Sequence, residues 1–260
     1  MASLPNSIRV GDFLRDWRQR RKLSQLDLAL DTGISARHLS FVETGRSAGS
    51  RDLLLRLAAG LNMPLRARNL LLLAGGFAAE HCETPLSAPE MAIAHDTIET
   101  ILKGHEPFPA LAVDRHWQMV ASNTAISPLL HAAKPHMLEA PINVLRLSLH
   151  PDGIASSIVN LAEWRHHILE RLRMQVDHTG DLNLEALLTE LAAYPAPRSS
   201  QPHTPPGIAV PLRIRTADGK ILSFLSTTTI FGTALDLTLS ELMLECFYPA
   251  DDATRETLLG

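Results

Sequence analysis

The apolar residues of the first 75 positions recur at the spacing of short α-helices. One face of the first predicted helix is formed by residues at i, i+3, i+4 and i+7, namely Val10, Phe13, Leu14 and Trp17. Ser24, Ser35 and Ser50 precede three further apolar stretches and suit the N-cap position. Pro64 opens a fifth stretch, which ends at two glycines, Gly75 and Gly76. The pattern predicts an all-α region of five short helices.

The pattern changes beyond residue 77. Residues 78–90 carry two prolines and no period, which predicts a linker, and a helix is expected from about 90 to 103. Two apolar runs flank Asp218-Gly219, a dipeptide typical of β-hairpins. Strands are expected at 111–113, 117–121, 208–215, 220–231 and 242–247, helices at 159–176 and 182–191, and a proline- and serine-rich loop at 194–207. This order predicts an α+β domain, an antiparallel sheet with helices on one side.

Four positions in the helical region have the spacing of a helix-turn-helix. Two helices that cross closely need a small residue at the crossing, and Ala29 supplies it. The turn needs a residue that tolerates positive φ, which suits Gly33. Leu39 and Val42, three positions apart, anchor the second helix. A bare helical hairpin without a DNA role is the alternative interpretation.

The first turns of the second helix of such a pair enter the DNA major groove. Arg37 is the strongest candidate for a base contact, because its guanidinium matches guanine O6 and N7. Gln25 is expected to bind a phosphate, and Arg46, Ser47 and Arg51 flank the helix where phosphates pass. The full predicted DNA-binding set is Gln25, Ser35, Ala36, Arg37, His38, Ser40, Arg46, Ser47 and Arg51. Basic residues of the first helix, Arg15 and Arg18 among them, are expected to be a solvated face, with contact to phosphates as the alternative.

The charge distribution supports this assignment. Residues 1–75 hold twelve Lys/Arg and six Asp/Glu, a net charge of +6, whereas residues 76–260 have a net charge of −10. A basic head on an acidic body is typical of a DNA-binding unit joined to a separate domain. The chain has no long apolar run and no signal peptide, so we expect a cytoplasmic protein with no membrane partner. Its two cysteines, Cys82 and Cys246, are expected to be free thiols.

The chain has twelve histidines, but their spacing does not favour catalysis or metal binding. His131 and His136 are five apart, and His166 and His167 are adjacent, whereas two ligands on one helix face need i, i+4. No metalloprotease, hydrolase or phosphate-loop motif is present. We therefore expect no catalytic residues, no metal site, no cofactor and no enzymatic activity.

The segment from Leu23 to Ser47 resembles the Xre/Cro family of repressors, with Glu43 and Gly45 matching that family's E-x-G signature. The later part resembles the MmyB-like ligand-binding domain, through residues 109–117, Asn123, 143–147, 231–236 and 247–251. The resemblance implies a PAS-like α+β domain with an apolar pocket, and a fatty-acid-like effector. The expected organisation is a helix-turn-helix domain at 1–77, a linker at 78–90 and a sensor domain at 91–260.

A ligand pocket needs apolar walls and a few polar anchors. Candidate walls include Phe224, Ile230, Leu145, Leu149 and Ile158, each of which also suits plain core. The candidate ligand-binding residues are Asn123, Arg146, Asn160, Trp164 and Phe231. Arg146 lies in an apolar helix and needs a carboxylate, either an internal Asp or Glu or the acid group of a ligand. The two asparagines suit helix caps as well as ligand donors.

Together these features predict a sequence-specific transcription regulator. A single head covers few base pairs, and two-fold operators are common among the resembled repressors, so we expect a homodimer on an inverted repeat of double-stranded DNA. The second domain is expected to sense a small apolar effector. The alternative is a second domain that binds a partner protein or dimerises without any ligand.

Overall fold

The computed structural model of the protein describes residues 9–195 and 209–260. The chain divides into two compact units, Met1–Glu83 with Asp177–Thr179, and Thr84–Val176 with Gly180–Gly260. The break after Glu83 falls inside the segment predicted as a linker. Residues 196–207 of the predicted proline-rich loop lie outside the described residues.

The described part of the first unit contains the five predicted helices, α1 (Val10–Arg20), α2 (Gln25–Thr32), α3 (Ala36–Glu43), α4 (Arg51–Gly60) and α5 (Leu65–Ala74). All three predicted serine caps are confirmed. The Ser24 hydroxyl accepts from the Asp27 N–H, and the Asp27 carboxylate accepts from the Ser24 N–H in return. The Ser35 and Ser50 hydroxyls accept in the same way from N–H groups three residues on. The helix starts are therefore encoded locally.

The helices of the first unit enclose one leucine-rich core. Its fully buried members include Leu14 of α1, Leu28 of α2, Leu39 of α3 and Leu54 of α4. Leu14, Leu39 and Leu54 come from the apolar faces that the periodicity predicts, whereas Leu28 was not among the residues expected to face inward. Leu71 of α5 is fully buried in the same cluster, so all five helices share one core, and this packing fixes the orientation of α3.

One close contact in this unit has no sequence signal. Gly11 of α1 is buried, and a Cβ atom there would lie 2.3 Å from the carbonyl oxygen of Glu43 at the end of α3. Backbone atoms cannot yield as a flexible side chain would. Only glycine therefore allows α1 and α3 to approach this closely.

We expect Gly11→Ala to lower the free energy of unfolding of the first unit by about 2 kcal/mol, the cost of forcing atoms into a packed contact. Amide hydrogen exchange of α1 and α3 in the full chain measures it. Gly104→Ala is the matched control, because a Cβ there meets nothing within 4 Å. Unchanged protection in Gly11→Ala would contradict the close contact.

The second unit begins with a 3-10 turn at Pro89–Met91. Its later elements, in chain order, are α6 (Ala92–Gly104), β1 (Ala110–Val113), β2 (Met119–Ser122), 3-10 turns at Thr124–Leu130 and Pro135–Leu138, α7 (Val144–Leu149), a 3-10 turn at Ala155–Ser157, α8 (Leu161–Thr179), α9 (Leu182–Ala193), β3 (Leu212–Arg215), β4 (Ile221–Ile230), α10 (Leu237–Ser240), β5 (Met243–Pro249) and α11 (Asp252–Leu259). The predicted class, an all-α head followed by an α+β domain, is confirmed.

The described strands form one antiparallel sheet in the order β2-β1-β5-β4-β3. The last strand of the chain, β5, lies at its centre. There Glu245 pairs with Leu111 of β1 on one side and with Thr228 of β4 on the other. These three residues therefore form one row across the sheet and share a face.

Helices cover both faces of this sheet, so the expectation of helices on one side is wrong. One face carries the larger core, in which Leu111 and Val113 meet α7, α8 and α9. The other face carries Ala110 and Ala112, which pack with Ile98 of α6. Successive side chains of a strand point to opposite faces of the sheet. Because both faces are covered here, all four residues of β1 are buried.

Several element boundaries differ from the prediction. The second strand starts at Met119 rather than Trp117, because residues 114–118 form a tight turn in which Trp117 has a φ of 65°. The third begins at Leu212, directly after Pro211, which lacks the N–H that a sheet requires. The short α10 and the C-terminal α11 were not predicted.

Candidate DNA-reading helix and sensor cavity

The α2–α3 pair has the geometry predicted for a helix-turn-helix. Ala29 is 1% exposed, and Leu39 and Val42 are 0% and 1% exposed. Gly33 ends α2 with a φ of 67°, in the left-handed region. The four residues of the predicted motif therefore form the crossing, the turn and the two anchors.

The predicted DNA-binding residues lie on and beside α3. Arg37, His38, Arg46 and Arg51 are exposed, whereas Gln25, Ala36, Ser40 and Ser47 are half-buried and Ser35 caps the helix. Arg51 is the first residue of α4, directly after its Ser50 cap. A helix start presents free N–H groups that favour an anion. The exposed arginines and the N-terminus of α4 thus lie on and beside α3.

Phe41 organises two of these arginines and was not predicted. The Arg37 guanidinium lies over the Phe41 ring, 5.4 Å from its centroid, and the Arg46 guanidinium lies 6.0 Å away. Stacking on an aromatic ring restricts a flexible arginine without removing its charge. The i, i+4 spacing of Arg37 and Phe41 on an exposed helix face was the available signal.

A buried carboxylate at the end of α3 ties that helix to its neighbours. The Glu43 side chain is 0% exposed and accepts two hydrogen bonds from Arg18 of α1, 2.7 and 2.9 Å long. It also accepts from the Gln25 amide N–H at 2.8 Å, and Arg15 donates to its backbone carbonyl at 3.3 Å. The Glu43 carboxylate therefore joins α1, α2 and α3.

This network revises the expectation for Arg18 and gives Gln25 a protein partner. The Arg18 side chain is 12% exposed, so it is not part of a solvated face. One of the two N–H groups of the Gln25 side-chain amide donates to Glu43, and the expected phosphate contact of this residue stays a prediction. Burial raises the pKa of Glu43, but the hydrogen bonds from Arg18 and Gln25 and the charges of Arg18 and Arg15 outweigh it and hold that pKa below 4.5.

The second unit contains a cavity of about 100 Å³ between the sheet and the helices α7 and α8. Its lining is almost wholly apolar. The apolar members are Leu111, Trp117, Met119, Ile126, Leu129, Leu130, Val144, Leu145, Leu147, Ile154, Trp164, Ile168, Leu212, Ile214 and Phe247, and the polar ones are Ser148, His167, Arg171 and Glu245. Apolar walls with a few polar groups are typical of a small-molecule site.

The charged groups form one corner of this cavity. Arg171 of α8 donates to both carboxylate oxygens of Glu245, at 2.5 and 3.2 Å. The hydroxyl of Thr228 accepts from Arg171 at 2.7 Å and donates to Glu245 at 2.9 Å. The Arg171 guanidinium also stacks over Trp117, 4.6 Å from the ring centroid. The Glu245 side chain is only 6% exposed, so this pair is largely removed from water.

Trp164 alone among the five predicted ligand-binding residues lines this cavity. Its indole N–H donates to Ser148 at 3.0 Å. Leu145, one of the candidate walls, lines the cavity as well. Phe231 packs instead against the cluster on the opposite, α6-covered face of the sheet.

The other three predicted ligand-binding residues bind protein groups. Arg146 pairs with Glu190 at 2.7 Å, which selects the internal carboxylate between the two alternatives. The Asn123 side chain bonds three backbone groups, at Leu102, Phe108 and Ala110. Asn160 donates to the Glu163 carboxylate and to a backbone carbonyl and accepts from a backbone N–H. Within the described residues, these three side chains therefore bind other parts of the protein and do not line the cavity.

The sequence analysis did not predict the polar corner of the cavity, although the helical spacing of some of its residues indicates it. Trp164, His167 and Arg171 follow one another at i, i+3 and i+7, so they share one face of α8. Glu245 is a charge inside an apolar strand and needs a partner, as Arg146 does. The periodicity that located the helix therefore also indicated which of its polar residues face inward.

The described residues also bear on the predictions about metals, membranes and cysteines. No group of three or more potential metal ligands occurs within residues 9–195 and 209–260. Over the same residues, no helix has both the length and the apolar character that crossing a bilayer requires. Cys82 and Cys246 are free thiols, as predicted.

Two family models match the chain, one in each unit. The model of a helix-turn-helix domain matches residues 9–71. The model of the MmyB-like transcription regulator ligand binding domain matches residues 94–259. Both lie where the sequence resemblance places them.

Solved structures and curated proteins were compared as well. The restriction-modification controller protein C.AhdI from Aeromonas hydrophila is 32% identical over 23% of this chain and 89% of its own, with a TM-score of 0.22. An RNA-binding light-oxygen-voltage receptor is 13% identical over 96% of this chain and 62% of its own, with a TM-score of 0.27. A search of curated proteins gave no match.

The two matched models describe regulatory modules and fall on the two units in chain order. The protein is therefore a helix-turn-helix DNA-binding transcription regulator with a ligand-binding domain. The ligand-binding model alone spans more than half of the chain. The chain belongs to the MmyB-like transcription regulator family, and the prediction of a helix-turn-helix head joined to this domain is confirmed.

Proposed function

We propose that this protein binds an inverted-repeat operator as a homodimer in the cytoplasm, and that a small apolar effector in its PAS-like second domain changes operator binding. The observation that carries the DNA part is the placement of Arg37. It is exposed on the first turn of α3 and stacked on Phe41, while Glu43 ties the end of the same helix to α1 and α2. A base-reading side chain on a rigid helix favours sequence-specific contact.

The proposed contacts divide into two classes. Arg37, His38 and Ser40 are proposed to face base edges, with Ser35 and Ala36 where the helix start approaches the groove. Arg46, Ser47 and Arg51 are proposed to bind phosphates. Gln25 is proposed to donate the second N–H of its side-chain amide to a phosphate, since one N–H is bound to Glu43 and an amide NH2 has two donors.

The apolar cavity supports the sensor part of the proposal. It lies within the core of the second unit and is bounded by α7, α8 and the sheet. A ligand that binds one arrangement of these elements more tightly shifts the population toward that arrangement. Coupling to DNA then follows from the difference in ligand affinity between the DNA-competent and incompetent states. The role is non-catalytic.

The test is selection of sheared genomic DNA by the purified full-length protein at about 0.15 M salt, since affinity depends strongly on salt. We expect enrichment of short inverted repeats near promoters. A size measurement of the complex should give two chains per repeat. Uniform recovery of all fragments would overturn sequence-specific regulation, and one chain per site would overturn the homodimer.

A further inference from the structure

One edge of the sheet in the second unit is open along half of β4. Strand β3 pairs with β4 only as far as Phe224, whereas β5 follows β4 on the other side from Phe224 to Ile230. Within the described residues, no strand continues β3 beside residues 225–230. This part of β4 is therefore an edge strand, and residues 225–230 are called the β4 edge below.

The free backbone groups of the β4 edge follow from the pairing of its neighbour. The Phe247 N–H of β5 donates to the Pro109 carbonyl on the β1 side, at 2.9 Å. Backbone groups alternate in direction along a strand, so those of Cys246 face β4, where this residue pairs with Thr227. Alternate residues of the β4 edge then direct their N–H and C=O groups away from β5. These are Ser226, Thr228 and Ile230.

The β4 edge lacks the features that usually protect such a strand from pairing. Its sequence is Leu-Ser-Thr-Thr-Thr-Ile, without a charge, a proline or a glycine. Most of these residues are β-branched and favour an extended, paired backbone. Residues 227–230 are exposed, and Ile230 is 60% exposed. An uncharged, exposed edge of this kind is a template for another strand.

We propose that the β4 edge is a dimer interface, at which it pairs with the β4 edge of a second copy and joins the two sheets into one. A two-fold axis brings the same segment of both copies together in opposite directions, as an antiparallel ladder requires. The segment carries no charge that would repel its own copy. The inference rests on the homodimer of the proposed function and assigns it a surface in the second unit.

The number of hydrogen bonds selects one register for this pairing. With the axis at Thr228, this residue lies opposite itself, and Ser226 lies opposite Ile230 of the partner subunit. Three such pairs exchange two bonds each, about six backbone hydrogen bonds in all. With the axis at Thr227 only about four form, because Ile230 would then lie opposite Phe224, which already pairs with β3.

The selected register predicts how charges placed on the β4 edge behave. Thr227 of one copy lies opposite Thr229 of the other, and both side chains are exposed. Thr227→Lys combined with Thr229→Lys therefore places like charges opposite each other at both contacts. Thr227→Lys combined with Thr229→Glu places opposite charges there instead. The second variant is the matched control, because it changes the same two positions.

Sedimentation equilibrium of the full-length protein without DNA measures the dimer dissociation constant. The β4 edge is short, so we expect about 1–100 μM for the unmodified protein, as for a small interface. The double-lysine variant should raise this constant at least about tenfold, and the lysine–glutamate variant should raise it by less than about threefold or lower it.

Three results would overturn the proposal. The first is an unmodified protein that is still monomeric at about 500 μM. The second is a double-lysine variant that dimerises as tightly as the unmodified protein. The third is equal weakening in both variants, which would refute the pairing of Thr227 with Thr229. Circular dichroism of both variants checks that the substitutions leave the fold intact, as expected at exposed positions.

Failure of this inference is distinguishable from failure of the proposed homodimer. The number of chains on each operator repeat is measured with the unmodified protein and does not depend on which surface joins them. If two chains bind each repeat while the double-lysine variant dimerises normally, the homodimer stands and the β4 edge is not its interface. If one chain binds each repeat, the proposed homodimer itself fails.

Discussion

Replacing Glu43 by alanine is expected to destabilise the first unit by about 3 kcal/mol or more, because it leaves a largely buried arginine without its partner. The Arg18 side chain is 12% exposed and directs two hydrogen bonds to the Glu43 carboxylate. The Gln25 amide loses its acceptor in the same substitution. By amide hydrogen exchange of α1–α3 in the full chain, about 3 kcal/mol corresponds to roughly 100-fold less protection.

The matched control is Glu83→Ala. Glu83 also pairs with an arginine, Arg66, at 2.7 Å, but its side chain is 55% exposed. An exposed pair contributes about 0–1 kcal/mol, so protection should barely change. Equal losses in the two variants would show that burial does not set the strength of the Glu43 network, and the assigned role of Glu43 would be wrong.

The sequence predicted the helix-turn-helix well because its signals are local. The serine caps, Gly33 and the Leu39–Val42 spacing each depend on residues a few positions apart. The partners of Glu43 are not local, since Arg18 lies 25 positions away and Gln25 18 positions away. Glu43 was therefore noticed only as part of a family signature, and its anchoring role was visible only in three dimensions.

The second unit was predicted less completely for the same reason. Alternation and the Asp218-Gly219 turn located the hairpin, but strand order depends on pairings distant in sequence. Arg171 and Glu245 are 74 positions apart and meet only because β5 lies at the centre of the sheet beneath α8. Arg146 needed a carboxylate, and the fold supplied Glu190 from 44 positions away. Sequence alone left the choice between protein and ligand open.

The largest expected effect on function is in α3. Arg37→Ala should lower the preference for the selected operator by about 1–3 kcal/mol, roughly fivefold to 150-fold, because one guanidinium forms two bonds to a guanine edge. Arg37→Lys is the matched variant, since it keeps the charge and loses the planar fork. We expect both variants to lose preference between operator and random DNA, with the salt dependence of binding to random DNA unchanged in both. Fluorescence anisotropy over a salt series measures both quantities.

Arg51→Ala separates phosphate contacts from base contacts. Arg51 lies at the start of α4, where it and the free N–H groups of the helix favour a phosphate. Its loss should weaken binding to operator and random DNA alike. The salt slope, which is the slope of log K against log salt concentration, should fall by about 1, the value of one phosphate contact. The two arginines therefore have opposite expected signatures, specificity for Arg37 and salt slope for Arg51. If Arg37→Ala kept the operator preference, α3 would have to read DNA through His38 or Ser40, and the side chain proposed as the main base reader would be wrong.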